Sequence, residues 1–162
     1  CQKNWYNVNM EKLYYSWSNL ESDVADITQQ MAIKMLRPHV IFGPGRGGYI
    51  PGVMLSHYFG VPFHGFEWQH RDFEVQETEH LRNLLSKYNG KRIVIIDDIN
   101  DTGTTLQGIS NTVNLMDMQK NVKFVTLFDK LSSSFGEVQI TANEVAPEDE
   151  KWIVYPWEDW WK

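Results

Sequence analysis

The chain has 162 residues, enough for one domain with a buried core. Hydrophobic residues make up 42% and charged residues 22%, an ordinary balance for a soluble domain, and no apolar run has the length of a membrane span. The net charge of −6 argues against a broad nucleic-acid face, and the single cysteine, Cys1, excludes an internal disulfide or a cysteine metal cluster.

The stretch up to Trp17 is aromatic and carries no readable period. Ser18 then reads as an N-cap with Glu21 as its capping-box partner, and Leu20, Val24, Ile27, Met31 and Met35 follow at helical spacing. Pro38 ends that helix. Val40–Phe42 reads as a short strand running into a glycine-rich loop over residues 43–48. A helix over Ile50–Tyr58, stopped by Gly60, and a strand over Pro62–Trp68 come next. Gln69–Asn83 is polar and reads as a flap or a helix entry; Leu84–Tyr88 reads as helix.

Arg92–Ile96 is the clearest strand, a continuous apolar run that suits a central position covered on both faces. A loop, a helix over Thr104–Met118 and a strand over Lys123–Phe128 complete the alternation. The order predicts an α/β fold with a central, mostly parallel sheet flanked by helices. Ligands of such sheets bind beyond the carboxyl ends of the strands, where each glycine-rich or acidic loop here falls.

The run Asp97-Asp98-Ile99-Asn100-Asp101-Thr102-Gly103-Thr104-Thr105 carries the chemistry. Asp97 and Asp98 can bind ribose hydroxyls directly or through magnesium. Gly103 permits a sharp turn and close approach of a ligand. The threonine hydroxyls and the amides at the following helix start suit a phosphate. Two acidic residues alone would read as a capped turn; strand, carboxylates, glycine and hydroxyls in this order read as an anion site. It is not a Walker loop, because the Gly-Lys-Ser/Thr ending is missing. Gly45-Arg46-Gly47-Gly48 offers a second anion site, with amides exposed by glycine and a guanidinium fork. His39, His57, His64, His70 and His80 show no metal-ligand spacing.

The order Asp-Asp-x-x-Asp-Thr-Gly-x-Thr resembles the phosphoribosyl-pyrophosphate signature of the type I phosphoribosyltransferases. Over residues 16–158 the chain is similar to the bacterial xanthine-guanine enzymes of that family. Residues 46–52 resemble their pyrophosphate loop, residues 124–130 the strand with the purine-binding lysine, and residues 152–158 the base-stacking segment. The sequence departs from them at Gly45, where they carry serine, at Val154, where they carry an acidic residue, and at Trp68-Gln69 in the flap.

The resemblance implies one phosphoribosyltransferase domain over residues 1–162, with a core over 16–130 and a small base-binding hood over 131–162. It implies transfer of ribose 5-phosphate from phosphoribosyl pyrophosphate to a 6-oxopurine, in purine salvage. Phosphoribosyl pyrophosphate would be held by Arg46, Gly47, Gly48, Asp97, Asp98, Asp101, Thr102, Gly103, Thr104 and Thr105, with Asp101 catalytic and Asp98 holding Mg2+. Lys130, Trp152 and Ile153 would bind the purine. A cis peptide is expected before Arg46, and His70 and Arg71 of the flap would approach pyrophosphate. A cytoplasmic homo-oligomer, dimer or tetramer, without nucleic-acid or membrane partners is expected. Two other readings stay open: a non-catalytic nucleotide- or nucleic-acid-binding member of the fold, and a pyrimidine-specific enzyme.

Overall fold

The computed structural model describes residues 10–68 and 75–162. Five parallel strands form the central sheet: β2 (Val40–Pro44), β3 (Phe63–Phe66), β4 (Ile93–Asn100), β5 (Val122–Lys130) and β6 (Val138–Val145). Their order is β3-β2-β4-β5-β6. A separate parallel pair joins β1 (Lys12–Tyr14) to β7 (Trp152–Val154), so an N-terminal strand backs the C-terminal segment. The described residues form four α-helices, α1 (Trp17–Ile33), α2 (Gly45–Phe59), α3 (Val75–Lys87) and α4 (Thr104–Leu115).

Strand alternation sorts the core onto two faces. Val94 and Ile96 of β4 pack with Leu20, Val24, Ile27 and Met31 of α1 and Leu55 of α2. Ile93 and Ile95 point the other way, to Leu81 and Leu85 of α3 and Leu106, Ile109 and Val113 of α4. All four β4 residues are fully buried, as the unbroken apolar run predicts. Burying each such side chain stabilises the fold by about 1.5–3 kcal/mol before chain entropy is counted.

Several boundaries differ from the sequence expectation. Helix α1 is capped by Ser16, not Ser18. The Ser16 hydroxyl accepts from the Asn19 amide at 3.0 Å, and the Asn19 side chain accepts in return from the Ser16 amide. Asparagine thus does the work expected of Glu21. Residues 45–48 are the first turn of α2 and not a loop. The peptide before Arg46 is trans, with Gly45 at φ +52°. The polar segment Gln69–Asn83 is helical from Val75 onward, whereas residues 69–74, which include His70 and Arg71, lie outside the described residues.

Strand β6 had no counterpart in the sequence reading. It extends the sheet past residue 130, so the chain leaves the sheet only after Val145. Gln30 of α1 and Lys34, the C-cap of that helix, donate to its Thr141 and Gln139 carbonyls. These bonds cover strand groups that would otherwise be open to pairing. No helix among the described residues is long and apolar enough to cross a membrane.

Candidate active site

A cleft of about 650 Å³ opens at the carboxyl ends of β2, β4 and β5. Arg46, Gly47, Asp97, Asp98, Asp101, Thr102, Gly103, Thr104, Thr105, Lys130, Trp152 and Ile153 all line it. Gly48 does not. A Cβ there would meet the Ile96 carbonyl oxygen at 2.5 Å, so its glycine lets α2 press on β4. A second cavity of about 450 Å³, between α1 and β6, contains none of these residues.

The acid pair sits inside β4. Asp97 and Asp98 are 8% and 7% exposed, and the Asp98 amide donates to Asp97 Oδ1 at 2.9 Å. Burial, with the neighbouring Asp98 charge adding, raises the Asp97 pKa well above the usual carboxylate range. Burial, with the Glu158 charge adding, pushes Asp98 up to about 6. Neither forms an ion pair among the described residues. The Asp98 carboxylate lies against Gly47, where a Cβ would stand 2.5 Å from its Cγ.

The turn after β4 is braced from beneath by a segment the sequence reading passed over. Asn100 is 2% exposed and donates to Asp129 Oδ1 at 2.7 Å and the Phe135 carbonyl at 2.8 Å, while its Oδ1 accepts from Ser133 Oγ. Ser134 donates to the Thr102 carbonyl through both its amide and its hydroxyl. Gly103, the N-cap of α4, adopts φ +90°, and a Cβ there would lie 2.5 Å from the Phe135 amide nitrogen. Gly103 therefore satisfies backbone conformation and space together. It also brings no side chain to compete with an anion at the start of α4.

Lys130 ends β5 and is only 9% exposed. Its Nζ lies 2.5 Å from Asp101 Oδ1 and 3.3 Å from Glu150 Oε2. Burial would lower the Lys130 pKa; the Asp101 and Glu150 carboxylates outweigh it and raise it. In β7, the Trp152 amide donates to Glu11 O, and Val154 O accepts from Tyr15 N. Backbone groups alternate between strand edges, so Ile153 directs its N–H and C=O away from β1. Val154 is buried and does not line the cleft.

Residues 12–158 match the phosphoribosyl transferase domain. The chain belongs to that family. This phosphoribosyltransferase is 26% identical to the hypoxanthine-guanine phosphoribosyltransferase of Schizosaccharomyces pombe, over 91% of this chain and 89% of that protein. Its fold is similar to that of a purine phosphoribosyltransferase from Pyrococcus horikoshii, with a TM-score of 0.70 and 28% identity over 93% of this chain and 95% of that one. The Helicobacter pylori xanthine-guanine-hypoxanthine phosphoribosyltransferase shares the fold at a TM-score of 0.71 and 18% identity, over 92% and 95% of the two chains.

Sequence reasoning missed other parts of this phosphoribosyltransferase's cleft. Tyr155, Glu158, Trp68 and Glu67 also line it. The Tyr155 hydroxyl is buried without a described hydrogen-bond partner, and its ring stacks on Trp157 at 4.7 Å. Glu158 accepts from the Tyr155 amide. Tyr155 and Glu158 stood out only as part of the segment 152–158 that resembles a base-stacking segment, and the Tyr-Pro-Trp-Glu run within it reads equally well as packing.

Proposed function

We propose that this phosphoribosyltransferase moves ribose 5-phosphate from phosphoribosyl pyrophosphate to N9 of a 6-oxopurine. The observation that carries the purine reading is Lys130. A buried ammonium at the end of a central strand shares one cleft with the acid pair and with Trp152. An ammonium donates to a 6-oxo group, whereas the 6-amino group of adenine would face it donor to donor. Trp152 supplies an aromatic face for the base, and the Ile153 carbonyl supplies an acceptor for its edge.

In this reading the turn from Asp101 to Thr105 and the start of α4 hold the 5′-phosphate. Asp97 orients the ribose. Arg46 and the first turn of α2 face pyrophosphate. The C1–O bond to pyrophosphate breaks as the C1–N9 bond forms, and positive charge develops at C1. Positioning and fixed charge therefore supply the catalysis. Asp101 takes part in proton transfer from the purine.

The two unpaired, buried carboxylates fit magnesium, which favours oxygen ligands and takes one or two carboxylates beside substrate phosphates and water. Asp98 would hold it, and when bound it neutralises charge on the leaving pyrophosphate. A homo-oligomer is the proposed assembly, supported by the exposed Trp160 and Trp161.

Incubation with phosphoribosyl pyrophosphate, magnesium and each nucleobase tests the reading. Nucleoside monophosphate and pyrophosphate are expected with guanine, xanthine or hypoxanthine, and not with adenine or a pyrimidine. Turnover with orotate or uracil alone would reassign the base, and no product with any base would remove the catalytic reading. Asp101→Ala should lower kcat by about a hundredfold, the usual scale of positioned acid–base help, with phosphoribosyl-pyrophosphate binding largely kept.

A further inference from the structure

Lys130 is gripped by carboxylates from two parts of the chain. Asp101 belongs to the phosphate turn, and its side chain is 54% exposed. Glu150 stands between a short turn of 3-10 helix, Pro147–Asp149, and β7, and its side chain is 22% exposed. One Glu150 oxygen meets Lys130, and the other accepts from Ser132 Oγ, two residues beyond Lys130. Asp101 and Lys130 line the cleft, whereas Glu150 does not. Glu150 therefore meets the ammonium from outside the set of residues that line the cleft.

An ammonium has three N–H donors. Asp101 and Glu150 take two of them, which fixes the direction of the third. If Asp101 turns to a ligand, Glu150 is the acid that stays. Without Glu150, the Lys130 ammonium keeps only Asp101 as an ion-pair partner among the described residues and is drawn toward the phosphate turn. That shift would occupy both residues assigned to the base. Glu150 also immediately precedes Lys151 and Trp152, so its bond to Lys130 links the stacking segment to the end of β5.

We propose that Glu150 is a positioning residue for 6-oxopurine recognition, holding the Lys130 ammonium and the Trp152 segment in register without touching substrate. The proposal rests on the assignment of Lys130 to the purine. It accounts for why a buried lysine keeps two acids when one would balance its charge. The cluster stays competent when one acid is engaged elsewhere.

Steady-state kinetics with hypoxanthine and phosphoribosyl pyrophosphate test it in the full chain. Glu150→Ala should raise KM for hypoxanthine about tenfold, the scale of one charged hydrogen bond, and leave KM for phosphoribosyl pyrophosphate within about twofold. Glu150→Gln keeps an acceptor oxygen and should recover part of the loss. In a Lys130→Met background, Glu150→Ala should add less than about twofold, because the group it acts through is gone. Where turnover is too low, calorimetric binding of inosine monophosphate gives the same comparison.

An unchanged hypoxanthine KM in Glu150→Ala, with a raised one in Lys130→Met, overturns the proposal and keeps the Lys130 assignment. A Glu150→Ala effect that persists in full in the Lys130→Met background assigns Glu150 to folding alone and also overturns it. An unchanged hypoxanthine KM in Lys130→Met removes the Lys130 assignment, and this proposal with it.

Discussion

Asp98 and Gly47 meet so closely that neither position tolerates a larger neighbour. A methyl group at residue 47 would press on the Asp98 carboxylate at 2.5 Å, and the buried aspartate has little room to turn aside. Gly47→Ala should therefore cost about 1–3 kcal/mol of stability, as overpacking does. It should also weaken magnesium-dependent binding of phosphoribosyl pyrophosphate in a calorimetric titration. Gly136 faces open space, so Gly136→Ala is the matched control and should change neither quantity. Equal binding by Gly47→Ala and the parent would show that this contact does not set the position of Asp98. Lys130 and Asp101 make a similar point. Each stood out in the sequence as a candidate site residue, but their 2.5 Å contact with each other did not, because it joins the ends of two strands.

At the scale of elements, the β1–β7 pair holds the C-terminal segment that carries Trp152 and Ile153. Leu13 pairs with Ile153, and alternation turns the Leu13 N–H toward β7. Leu13→Pro removes that donor. It should raise KM for the purine by about fivefold, the worth of one backbone hydrogen bond, with KM for phosphoribosyl pyrophosphate unchanged. A matched rise in both constants would mean that β1 supports the whole domain and not the base side. Neither β1 nor β6 announces itself in the sequence. All three β1 residues are exposed, so no apolar alternation marks it. Most β6 positions are half-buried, and its carbonyls are satisfied by Gln30 and Lys34 from more than a hundred residues away. The strands β2, β4 and β5 were legible because continuous burial demands continuous apolar residues. The start of α2 was misread for a physical reason as well. Glycine disfavours helix locally, but only glycine fits where α2 meets Asp98 and the Ile96 carbonyl.

Across the whole molecule, the acid pair stores a cost that the fold carries when no ligand is bound. The Asp98 pKa is raised to about 6 from an ordinary 3.8, mainly by burial. The folded chain therefore favours the protonated acid. This contribution is fully present below the ordinary carboxylate pKa and is lost as pH rises through the raised one. Urea unfolding without magnesium should show Asp98→Asn more stable than the parent at pH 7.5, with the gap closing near pH 4. A gap of the same size at both values would show that ionisation of Asp98 is not its source. The pairing of β1 with β7 has a consequence for how the chain is made. The turn between β4 and α4 and the strands beside it lie well before β7 in synthesis order, and domains tend to fold from the N-terminal side as they emerge. On the ribosome β1 must wait, unpaired, until Val154 has been released, and then close nearly the whole chain into one loop. In the proposed reading, the residues for sugar phosphate are thus made before Trp152 and Ile153, which take the base.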